Sequence, residues 1–135
     1  MTTRATRTVF AGRWRLSWTK VWSKDALDLV EPAFIEFKRE SDADRGSFAM
    51  IAMNGWLHCF YGVRDGRPAV EFTWQGADEG DERCGRGWAV LENDGRLRGH
   101  LFIHCGDNSE FIAEREPQLA RGSRGAARKR RPSVR

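Results

Sequence analysis

From residue 12 the side chains alternate, with Trp14, Leu16, Trp18 and Trp22 on one face and Arg13, Arg15, Ser17 and Thr19 on the other. A period of two predicts a half-buried β-strand over Gly12 to Trp22, and Lys20 near its far end can snorkel outward along its stem. Ser23 or Asp25 then offers the cap of a short helix that runs through Val30 and is stopped by Pro32. About two turns are not stable alone, so this helix is expected to cover one end of the sheet. A second strand is predicted over Ala33 to Lys38, followed by the polar loop Arg39 to Arg45.

Three turn signals, Asn54-Gly55, Asp65-Gly66 and Asp94-Gly95, each separate apolar or alternating runs, the strongest short-range mark of a β-hairpin. They predict strands over Ser47 to Met53, Trp56 to Val63 and Ala69 to Gln75, then Gly85 to Glu92 and Leu97 to His104, with a last strand over Glu110 to Arg115. Two-residue hairpins place paired residues on one face. The expected rows are Ala52/Leu57/Trp74, Met50/Cys59/Phe72 and Phe48/Tyr61/Val70, all apolar or amphipathic. The opposite face carries Ile51/His58/Thr73 and Ala49/Phe60/Glu71. At Asp94-Gly95 the pattern leaves two registers open: Trp88 with Leu101 for a two-residue turn, or Leu91 with Leu97 and Ala89 with Gly99 for a three-residue turn.

Eight short strands in sequence close most economically as an all-β, antiparallel up-and-down barrel, which removes exposed edges; an open sandwich is the alternative. The expected division is a flexible N-terminus over 1–11, a barrel over 12–116 and a disordered basic tail over 117–135. Charge supports the last boundary. The formal net charge is +4, yet residues 121 to 135 hold seven cations and no acid, and the remaining 16 Lys and Arg against 19 Asp and Glu leave −3. Overall basicity is therefore no argument for a nucleic-acid-binding body, and any such contact is expected to be weak and through the tail. Cys59, Cys84 and Cys105 fit neither a disulfide framework nor a zinc ribbon, and no apolar stretch has the length of a membrane span or a secretory signal. A reducing cytoplasm is the expected home, with no membrane partner.

Gly12-Arg13-Trp14 at the start of the first strand of a small barrel resembles the Gly-x-Trp of lipocalins and avidin-like proteins, the calycin group. That resemblance implies a Trp closing the barrel floor and an Arg after the last strand packing over it; Trp14 and Arg115 are the matching positions. The runs Pro32 to Phe37, Tyr61 to Gly76 and Gly85 to Glu92 are also similar to a group of small uncharacterised bacterial proteins, a likeness that implies no activity.

Eight-stranded barrels are filled by side chains or hold one small ligand. The leading expectation is a barrel that binds a small, partly apolar molecule at its open end, lined by Trp18, Tyr61, Phe72 and Trp74. A second is a protein-interaction module using Trp56, Phe60 and Trp88, a homodimer being one form of it. A third is a small enzyme in which Glu71 orients His58 as a general base, with Thr73 beside it. No cofactor or metal is expected. His58 and Cys59 point to opposite faces, and His100 and His104 lie about 13 Å apart at roughly 3.3 Å per residue. Asp78, Glu79, Asp81 and Glu82 lack calcium-loop spacing and read as a solvated turn. Cys84 sits beside Arg83 and Arg86, which favour a reactive thiolate, while the neighbouring acids oppose it.

Overall fold

Residues 3–39 and 44–117 are described by a computed structural model of the chain. Eight strands follow one another around a closed antiparallel barrel in sequence order. They are β1 (Gly12–Thr19), β2 (Phe34–Phe37), β3 (Arg45–Met50), β4 (Met53–Arg64), β5 (Arg67–Asp78), β6 (Asp81–Leu91), β7 (Leu97–Ile103) and β8 (Asn108–Arg115). β1 pairs with β8 to close the ring, so each described strand has a neighbour on both sides. Strands β4 and β5 have 12 residues each and β6 has 11, so the β4–β6 side is the tall side of the barrel.

Hairpin geometry follows the turn residues in part. Asp65 and Gly66 both take positive φ, 52° and 77°, the mirror-image turn that matches strand twist, and the β4–β5 pairs Leu57↔Trp74, Cys59↔Phe72 and Tyr61↔Val70 are those expected. Glu79 and Gly80 make the same turn between β5 and β6, so the acidic loop is a two-residue hairpin tip. Leu91↔Leu97 and Ala89↔Gly99 settle the β6–β7 register, with Gly95 at φ 87° in a three-residue loop.

Asn54-Gly55 is not a turn. The chain reverses three residues earlier, at Ile51 and Ala52, with Ile51 at φ 59° and Met50 opposite Met53. Gly55 lies inside β4 opposite Phe48, where a Cβ would stand 2.6 Å from Phe48 Cε1 and 2.9 Å from Trp74 Cε3. The glycine leaves room for two rings that meet edge to face with centroids 5.0 Å apart. Phe48 therefore meets Gly55 instead of Tyr61, and Met50 meets Met53 instead of Cys59. The slip is an even number of residues, so every inward residue of β4 stays inward.

β1 carries a second correction. Leu16 pairs with Ala113 and Trp18 with Ile112, which leaves Ser17 as an extra residue in a bulge. The bulge reverses side-chain parity beyond it. Trp18 consequently faces outward at 47% exposure, while Thr19 turns in and Trp22 packs half-buried against the core.

The two helices cover the barrel ends. Residues 3–10, expected to be irregular, form α1 (Thr3–Phe10), whose Thr6 and Phe10 are buried one turn apart. Phe10 packs on Phe37 and Tyr61, at 5.4 and 5.8 Å between centroids. At the opposite end α2 (Lys24–Leu27) starts at Ser23, whose hydroxyl accepts from the Ala26 amide, and buries Leu27. It stops earlier than Val30, where the Asp28 carboxylate accepts from the Ala33 amide at 2.8 Å. The arginine-rich segment expected to be a disordered tail lies, from residue 118, outside the described residues. Among the described residues no helix is long and apolar enough to cross a membrane.

Candidate functional site: an aromatic and cationic outer face

The lumen is core. Trp74 is buried, with its indole N–H donating to the Phe102 carbonyl at 3.1 Å, and Phe72 is buried beside it in the same cluster. Tyr61 is partly buried between Phe10 and Phe37. Its hydroxyl lies next to the Cys59 thiol, and burial pushes both groups upward, Cys59 to about 12, so that thiol stays protonated. A void inside, between Leu16, Thr19, Phe48, Met50 and Phe111, measures about 10 Å³, which holds a water at most. Of the four residues expected to line a ligand site, Tyr61, Phe72 and Trp74 are packing residues, and Trp18 stands on the outside.

The floor of the barrel is built from residues the sequence matched. Trp14 is buried and its indole N–H donates to the Phe10 carbonyl at 2.9 Å. The Arg115 guanidinium lies over the Trp14 ring, 4.1 Å from its centroid, and donates to the carbonyls of Ala11 and Val9 at 2.8 and 2.7 Å. These two side chains satisfy the free carbonyls at the end of α1, where a positive charge also complements the helix dipole. Burial, with Arg39 nearby, lowers the Arg115 pKa. Gly12, at φ 114°, gives the chain its bend from helix to strand.

His58 and Glu71 do not form the expected pair. His58 is opposite Thr73 and Glu71 opposite Phe60, all on the outer face. The carboxylate near His58 is Asp44, with Oδ2 3.7 Å from Nε2, and the imidazole packs on Phe60 at 4.6 Å between centroids. Both side chains are about half exposed, so any attraction between them is screened and weak. Among the described residues no three His, Cys, Asp or Glu side chains come together for a metal.

What the outer face does assemble is a cross-strand row. Arg45 pairs with His58, His58 with Thr73, Thr73 with Arg86 and Arg86 with Phe102, one residue from each of β3 to β7. A parallel row joins Trp56, Gln75 and Cys84, with His104 beside Cys84 through the His104 N–H to Cys84 carbonyl bond of 2.8 Å. Between the rows runs a groove of about 830 Å³. Trp56 stands over it at 71% exposure, and the Arg86 guanidinium lies on the Phe102 ring at 4.1 Å. A second hollow of about 690 Å³ adjoins it, where Phe60, Glu71 and Trp88 form the next row and Arg64 covers Trp88 at 4.1 Å. The sequence signal was the alternation Trp56, His58, Phe60 on β4. Arg45 and Arg86 share one row, three strands apart, only through the three intervening registers.

No protein-family model matches the chain, and no curated protein matches it.

Proposed function

We propose that this chain is a non-catalytic binding module of calycin-like architecture that engages its partner on the outer face of β4–β7 and not in the lumen. The observation that carries the reading is a contrast of volumes: about 830 Å³ of groove outside against about 10 Å³ inside. Exposure agrees with it, since Trp56 at 71% and Phe60 at 54% are large apolar side chains on the rigid tall side of the sheet. Aromatic side chains presented this way supply most of the energy in many interfaces. The calycin-like assignment rests on Trp14 and Arg115, which pack as the Gly-x-Trp resemblance implies. The half-exposed His58 has no desolvated acid partner, which favours binding over general-base chemistry.

An anionic aromatic dye, anilinonaphthalene sulfonate, tests this directly. Trp56→Ala is expected to weaken a single saturable dye site by about tenfold, the low end of what an exposed aromatic anchor contributes. Dye binding that is indifferent to Trp56→Ala contradicts the outer-face reading and returns the search to the barrel ends.

A further inference from the structure

The groove between the two rows has a charge pattern that the composition of the chain conceals. Its lining includes the guanidiniums of Arg45 and Arg86 and the imidazoles of His58 and His104, and no carboxylate. Asp44 contacts one end of the row, 3.9 Å from Arg45 and 3.7 Å from His58. Glu71 belongs to the adjoining hollow. The exposed π surface is the Trp56 ring on β4, whereas the Phe102 ring is covered by the Arg86 guanidinium at 4.1 Å and by His100 stacked at 4.3 Å between centroids; Thr73 and Gln75 supply hydrogen-bonding groups between them.

Resting on the outer-face reading, we infer that the occupant of this groove is single-stranded nucleic acid, with a base stacked on Trp56, phosphate held by Arg86, and Arg45, shared with Asp44, at the far end of the row. Three arguments select that chemistry. A guanidinium without a facing carboxylate in the groove lining, here Arg86, attracts a polyanion and binds phosphate bidentately. The exposed indole face of Trp56 is redundant for an acidic peptide, whereas every base has a π-face to stack on it. From β3 to β7 the row crosses four strand spacings, about 19 Å at roughly 4.8 Å each, longer than one nucleotide. Duplex ends its bases inside the helix and cannot use Trp56, so the inference is specific to unpaired strands.

The test is fluorescence anisotropy of labelled oligothymidylate and oligouridylate of about ten residues, within the site sizes known for single-strand binders, with the full-length chain between about 50 and 200 mM salt. Trp56→Ala is expected to weaken binding about tenfold. Arg86→Ala is expected to weaken it about fivefold and to reduce the salt slope by about 0.7, the share of one phosphate contact on a single strand. A duplex of the same length is expected to bind at least about tenfold more weakly. Both side chains are outward, and circular dichroism of each variant checks that the barrel is intact. The arginines at 121–135 are the same in every variant. Affinity unchanged by both substitutions assigns binding to that segment and overturns the inference, as does duplex binding as tight as single strands. If oligonucleotides fail to bind while the dye still depends on Trp56, the occupant is wrong and the outer-face reading stands. If neither probe depends on Trp56, both fall.

Discussion

Arg115 holds three parts of the molecule together: the last strand, the Trp14 ring and the carbonyl end of α1. Its two charge-assisted hydrogen bonds and its ring contact give Arg115→Ala an expected cost of about 2 kcal/mol in chemical denaturation. Arg115→Lys is expected to recover less than half of this, because an ammonium cannot reach both carbonyls and lie flat on the indole. A loss below a few tenths of a kcal/mol for Arg115→Ala contradicts the bracing role. Trp14 and Arg115 were legible in the sequence through a short motif and a position, because their roles are set by the barrel's own closure. Trp18 was not. Its parity depends on one extra residue, Ser17, and nothing in the alternation of Trp14, Leu16 and Trp18 distinguishes a regular strand from a bulged one.

Among the elements, β4 and the turn that follows it separate two uses of glycine. Gly66 serves a turn, at φ 77° with nothing within 4 Å of an added Cβ, so Gly66→Ala costs backbone strain alone. Gly55 serves packing, since its missing side chain admits Phe48 and Trp74. Gly55→Ala is expected to destabilise the protein by about 2 kcal/mol through overpacking, measured by urea unfolding, and Phe48→Leu in the same chain is expected to recover part of that loss. Simple additivity of the two substitutions contradicts the packing assignment. Asn-Gly is a turn signal only when its neighbours do not need the space, a three-dimensional condition that the local sequence cannot express. The Asp-Gly at 65 and 66, with open space around it, behaved as the local rule says. α1 escaped the sequence reading for a related reason. Its eight residues are rich in Thr and Arg and too short to be stable alone, and tertiary burial of Thr6 and Phe10 forms the helix.

For the whole molecule, closure decides where binding is feasible. The ring of eight strands was legible because hairpin follows hairpin without a crossover, and the meander order leaves one economical way to bury all its edges. Whether the lumen was open was not legible, since the same inward aromatics line a cavity or fill it depending on backbone curvature and on what covers the ends. Here α1 and α2 cover the ends, and Trp14, Phe48, Phe72 and Trp74 fill the interior. Net charge was equally uninformative about the outer face. A body at −3 still displays an acid-free groove, because register selects which residues become neighbours.

All of this depends on the parity of β4, which sends Leu57 and Cys59 inward and Trp56, His58 and Phe60 outward. Cysteine labelling of the native protein with an aromatic disulfide at neutral pH reads that parity residue by residue. Cys84 and Cys105, both exposed, are expected to react promptly, while Cys59, buried and held protonated, is expected to react only on unfolding. Prompt modification of Cys59 in the folded state places the aromatic row inside the barrel and contradicts the account.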